Sequence, residues 1–262
     1  MTEFSDARLK VRRANKHIEE LGIGIAALES TYVSRIERHP QFNAQSLVHE
    51  VPDIKNALED LALIAGDAIH NLHTALDFAW SSTISKHLPN RISDSTKFPV
   101  RESRQQLEAA LHGIEVDTRC KRLFDCIVYE IQPYKGGHNS VIWTIHDLDI
   151  CDKHLLLLEL APQGHIRGIT VKDKAGELHR GFTMAVQSPG PYIVDYEEGI
   201  QVEEKGKLSV AITLADAGIY EAVEAESLLS SFARYVLHVI QLLENIAAVD
   251  VDPTAAARLT VS

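Results

Sequence analysis

The chain has 262 residues, enough to bury a substantial core, and its 45% hydrophobic and 24% charged composition is that of a globular protein rather than a disordered one. A formal net charge of −11 repels phosphate backbones, which disfavours general nucleic-acid binding. Three cysteines, Cys120, Cys126 and Cys151, cannot all pair within one chain and match no zinc or redox spacing, so free thiols in a reducing cytoplasm are expected.

The opening segment, MTEFSDARLKVRRANKHIEE, lacks the apolar core of a signal peptide. Val11, Ala14, Ile18, Leu21, Ile25, Leu28 and Tyr32 step by three and four, which predicts a long helix over about 6–38 with a narrow apolar seam of the bundle kind. That seam suggests a homodimer. Gly22 and Gly24 weaken the helix and suggest a bend, and the ERHP stretch ends it, because the residue before Pro40 avoids the helical region. Arg35 and His39 in the same stretch bear a faint likeness to the Arg–x–His signature of helical RNases of the HEPN type. AQSLVHEV, at 44–51, reads as one short strand, and Pro52 and Asp53 as the start of a second helix running over about 54–87.

This second helix poses the main question. Leu61, Ala65, Ala68, Leu72, Ala75 and Ala79 form its apolar stripe, yet GDAIHNLHTALD (66–77) puts two acids, two histidines and an asparagine at its middle. Spanning a membrane would bury both carboxylates at about 2.5–3.5 kcal/mol each, so a buried helix of a soluble protein is expected. At about 100° per residue, Asp67, His70, Thr74 and Asp77 fall within an arc of roughly 80° with Asn71 beside it. A solvated face is the simplest reading. Against it, no Lys or Arg occurs in 61–85, while Leu63, Phe78, Ile84 and Leu88 share that side. A polar pocket covered by another element is therefore favoured, and enclosed carboxylates require partners. Asp67 and His70, at i and i+3, can hold one metal ion together. Asp77 lies about 15 Å further along and would instead orient a histidine or bind a cation.

Two shorter helices are predicted over about 102–113 and 117–131. VIWTIHDLDICDKH reads as helix and the following LLLLEL as an extended run. GHIRGITVKDKAGELHRGFTMAVQ reads as a hairpin about DKAGE, with PYIVDY and KLSVAITLAD as further strands and a last helix over about 221–247. The tail after Asp252 is expected to fray.

WTIHDLDICDKH is the densest titratable stretch: His146, Asp147, Asp149, Asp152, Lys153 and His154. It reads either as an acidic terminus balanced by Lys153 or as the second half of a site. In the latter, Asp152 and His154 join Asp67 and His70 around a divalent ion such as zinc, manganese or iron. Cys151 beside His154 is a weaker nucleophile candidate, since free cysteines are mostly packing residues. No phosphate-binding loop or dinucleotide fingerprint is present.

GDAIHNLHTALD, FPV, IQPY and DLDICDKH, in that order over roughly residues 55–158, resemble a widespread bacterial family with the pattern GDxxHNLRSALDH…FPI…QPY…DKHR. The family carries no established activity. The resemblance implies that Asp67, His70, Asn71, Asp77, Asp152, Lys153 and His154 belong to its pattern. The chain departs from it at His73 and Leu155, where Arg is usual, and at Phe78, where His is usual.

Together these readings predict a mainly α-helical α+β fold in one domain over 1–262. Its helical part spans about 1–160 and 216–250, and a small antiparallel sheet is drawn from about 163–214. The leading functional expectation is a metal-assisted hydrolase of a small polar substrate, with Asp67, His70, Asp152 and His154 on the ion. Asn71 and Lys153 would place the substrate, and Asp77 would support the site. The alternatives are a non-catalytic binding or regulatory protein whose polar cluster is structural, and a HEPN-like helical RNase or defence protein.

Overall fold

A computed structural model describes residues 4–38, 43–93, 96–137, 140–154, 158–186, 189–215, 217–220 and 222–249, apart from the side chains of Lys153 and His154. Helix α1 (Ser5–Ser30) packs along α2 (Lys55–His87), and α7 (Ala225–Val249) lies against both. Between α2 and α7 come α3 (Arg104–Gly113), α4 (Val116–Arg119), α5 (Lys121–Asp125), a π-helical turn at Cys126–Ile131 and α6 (Val141–His154). Among the described residues the strands are β1 (Val33–Arg38), β2 (Gln45–Val51), β3 (Leu160–Lys172), β4 (Leu178–Val186), β5 (Gly190–Asp195) and β6 (Gln201–Leu214). The result is a mainly helical α+β fold with two small antiparallel sheets, ordered β1-β2-β5 and β4-β3-β6.

The seam predicted for α1 is present. Val11, Ala14, Ile18, Leu21 and Leu28 are buried, but they face α2 and α7, so the surface on which a homodimer was expected is filled within the chain. The helix stops eight residues before its expected end. The Ser30 and Thr31 hydroxyls donate to the carbonyls of Ala27 and Leu28, closing the last turn. Beyond it the period changes from 3.6 to two: Val33, Arg35 and Glu37 are exposed, while Tyr32, Ser34 and Ile36 are half-buried. Those residues therefore pair as a strand, Val33 opposite Glu50 and Arg38 opposite Gln45. The β layer expected from 163–214 thus recruits β1 and β2 from between the first two helices and divides into two sheets.

Gly24 lies within helix α1 and faces Leu61 of α2. A Cβ there would lie 2.4 Å from the terminal methyl Cδ2 of Leu61 and 3.7 Å from its Cγ, so the end of the Leu61 side chain packs into the space the glycine leaves. On α2 the expected stripe of Leu61, Ala65, Ala68, Leu72, Ala75 and Ala79 is buried, and Ile69 and Leu76 widen it. The helix begins where expected, with Asp53 Oδ1 accepting from the Lys55 N–H at 3.0 Å. The helix predicted over 117–131 is broken into α4, α5 and the π turn, which ends where Gln132 adopts a left-handed φ of 53° before Pro133. Helix α7 is long and apolar enough to cross a membrane by length and composition; here Leu228, Leu229, Phe232, Val236, Val239, Ile240 and Leu243 are buried in the core. His39, residues 155–157 of the predicted LLLLEL run and the tail after Asp252 lie outside the described residues.

Candidate functional site

The two motifs meet where α6 crosses α2. Gly66 makes the approach possible: a Cβ at that position would lie 2.4 Å from Asp152 Oδ1 and 2.7 Å from its Cγ. One turn further along α2, His70 Nδ1 lies 3.0 Å from Asp149 Oδ1, and His73 Nδ1 lies 3.1 Å from Asp149 Oδ2. The far nitrogen of His73, Nε2, is 3.1 Å from His146 Nδ1, and the two rings tilt at 35° with centroids 5.2 Å apart. A chain of polar groups thus runs His70–Asp149–His73–His146 across the helix interface.

Its electrostatics follow from burial. The Asp149 side chain is 2% exposed and that of His73 9%, whereas the His70 side chain is 44% exposed. A carboxylate only accepts hydrogen bonds, so both α2 histidines donate to it from Nδ1. Neutral His70 then carries its lone pair on Nε2, on the open side of the cluster. Neutral His73 carries its lone pair on Nε2 as well and accepts from His146 Nδ1–H. Burial, and next the neighbouring His73, pull the His146 pKa down, while the charges of Asp149, Asp147 and Asp77 oppose them.

The residues expected to form the site divide between this network and its surroundings. His70 is at its outer end, and Asp152 stands against Gly66 beside it. Asp67 is exposed; its backbone carbonyl takes the Asn71 Nδ2–H at 2.8 Å, and its carboxylate has no ion pair among the described residues. Asn71, nearly buried, also accepts from Lys10 Nζ of α1 at 3.5 Å, so its amide ties helices together. Asp77 holds a loop: its Oδ1 accepts from the Phe98 N–H at 2.9 Å, and so fixes the FPV segment above Trp80. Lys153 and His154 close α6, with side chains outside the description.

Asp149, His73 and His146 are the members that sequence reasoning leaves out of the site. A signal for Asp149 exists: Ile142, Ile145 and Asp149 step by three and four along α6, which places the acid on that helix's buried face. His73 is the second histidine of GDAIHNLHTALD, and its signal is its spacing, three residues from His70 on one face of α2.

Among the described residues, one group of three ligand-capable side chains gathers its donor atoms within 4.8 Å, and it is not at this interface. Asp173, Glu177 and His179 lie around the β3–β4 turn, partly or fully exposed. Asp173 accepts from two backbone N–H groups of that turn and from His179 Nε2, which lowers its own pKa and raises that of His179. Cys120 and Cys126 are buried, and burial pushes the Cys126 thiol up to about 12, so it is inert packing. Arg35 stands on strand β1 in ion pairs with Glu37 and Glu50. No protein-family model, curated protein or solved structure matches the chain.

Proposed function

We propose that the protein is a hydrolase acting on a small polar substrate, with His70 as its working imidazole. One observation carries the reading: a buried carboxylate, Asp149, holds Nδ1 of a half-exposed histidine and leaves Nε2 open. An imidazole oriented in this way can take a proton from an attacking water or bind an ion. Asp152, facing Gly66 four residues before His70, adds a carboxylate nearby. An imidazole and a carboxylate suit zinc, manganese or iron, and the second-layer acid behind His70 is what a metal-bound histidine needs. Such an ion would supply a water of lowered pKa. His70 and Asp152 would hold it, Asp149 would keep the His70 ring in its productive tautomer, and Lys153 of the same α6 segment would place the substrate.

The test is metal analysis of protein purified without chelator, followed by assays against small phosphate, ester and amide substrates. Near-stoichiometric metal and an activity lost on chelation are expected. His70→Ala should remove the activity by about 100-fold or more while leaving the fold intact, because its ring is half in solvent. An activity indifferent to His70→Ala overturns the reading. A second reading, a non-catalytic protein whose polar cluster locks two helices, is favoured by Asp149 meeting two histidines of α2 with its two oxygens. Metal-free, inactive protein that loses stability with Asp149→Asn would support it.

A further inference from the structure

Beneath the FPV segment lies a cavity of about 230 Å³ that no step above uses. Its apolar lining includes Trp80, Ile84 and Leu111, all essentially buried, and its polar lining includes Arg91, Lys97 and Arg101. In a chain with 37 acidic and 26 basic residues, three cations converging on one hollow is against the general charge. Arg91 already pairs with Glu115 at 2.8 Å. Lys97 and Arg101 have no carboxylate partner among the described residues; Arg101 donates from Nη1 only to the carbonyl of Val100, at 2.7 Å.

The segment bearing these two cations is fixed at both ends. Asp77 takes the Phe98 N–H, and the Phe98 ring meets Trp80 edge-on with centroids 5.9 Å apart. Arg101 N–H donates to the Pro133 carbonyl at 3.1 Å, and Lys135 N–H returns to the Arg101 carbonyl at 3.3 Å. Charges presented by an anchored segment cost less entropy to engage than charges on a free loop. A volume below the roughly 300–1,000 Å³ of drug-sized sites limits the guest to a single ring or a short branched chain.

We propose that this cavity binds a small organic anion, its compact apolar body on Trp80, Ile84 and Leu111 and its carboxylate or phosphate head between Lys97 and Arg101. The site is independent of the His70 centre and stands whether or not that centre is hydrolytic. It is tested on the full chain with benzoate and phenyl phosphate as probes, and with benzamide and inorganic phosphate as controls for body and head alone. Binding is read from tryptophan fluorescence, to which Trp80 reports directly, and from the thermal midpoint. At least one of the two organic anions should give a saturable change that both controls lack. Lys97→Gln/Arg101→Gln should weaken it roughly tenfold or more, since charge-assisted contacts are the strong ones. Both side chains are solvent-facing, so the free variant should melt as the parent does. The proposal is overturned if neither organic anion saturates, if a control binds as tightly as its parent probe, or if the double variant binds unchanged.

Discussion

An aspartate that is 2% exposed and meets two imidazoles leaves few substitutions tolerable. Asp149→Asn keeps the volume but replaces one of the two acceptor oxygens with an N–H₂ group. Whichever histidine faced the N–H₂ would have to turn its ring or change tautomer, and through His73 the change would reach His146. We therefore expect Asp149→Asn to lower unfolding free energy by about 1–3 kcal/mol, the usual cost of a mismatched buried hydrogen-bonding group. Urea denaturation measures it, and an unchanged midpoint would show that the cluster contributes nothing to holding α6 on α2. Part of this arrangement is readable from residues alone. His70 stands out because it lies one turn from the carboxylate of Asp67, and Asp152 because it belongs to the densest titratable stretch of the chain. Asp67 satisfies the same rule and lies in solvent, because spacing says which residues share a face and not which neighbour covers it.

At the scale of elements, the legible features are those with a long, unbroken period. The stripe of α2 and the seam of α1 need only repetition at three and four; the stripe is buried throughout, and the seam from Val11 to Leu28 with Ile25 half-buried, while Tyr32 falls beyond the helix. The misread boundary falls where two periods overlap: Tyr32, Val33 and Ile36 continue a helical count, yet they alternate as a strand once β2 is available to pair. Strand β1 and its sheet could not be read locally, since β2 pairs on its other side with β5, far along the chain, from Ser46 opposite Asp195 to Val51 opposite Gly190. Gly24 shows the same limit at one position. Propensity makes it a weak point worth about 1 kcal/mol against alanine in an isolated helix. In the fold the missing Cβ is the space that Leu61 occupies. Overpacking a core costs about 1–3 kcal/mol, which meets or exceeds the propensity gain. Gly24→Ala should therefore destabilise the protein, by up to about 2 kcal/mol in chemical denaturation. A stabilised variant would mean that α1 and α2 pack more loosely than the Leu61 contact indicates.

At the scale of the whole molecule, buried histidines and surface charge set opposing responses to acid. His49 is wholly buried on β2, its Nδ1 against the Tyr32 hydroxyl and its Nε2 with no hydrogen-bond partner among the described residues, and burial lowers its pKa from 6.5. His146 is lowered too, by burial first. A histidine whose folded pKa lies below its unfolded value binds fewer protons in the fold. Stability is then intact above the unfolded value, near 6.5, and is lost progressively as pH falls through that value toward the folded one. Two effects act differently. The raised His179 contributes stability that is complete below 6.5 and fades as pH rises through its folded value, but His179 and Asp173 are solvent-screened and this contribution is small. The net charge of −11 shrinks as acid is added toward the sequence pI of about 5.6, which relieves self-repulsion and on its own would stabilise the fold. The two mechanisms therefore predict opposite slopes over the same interval. If desolvated histidines dominate, the thermal midpoint falls from about pH 7 to about pH 5.5, and His49→Gln flattens the slope even where it lowers the midpoint itself. A midpoint that rises across that interval would assign the acid response to surface charge and leave His49 a bystander.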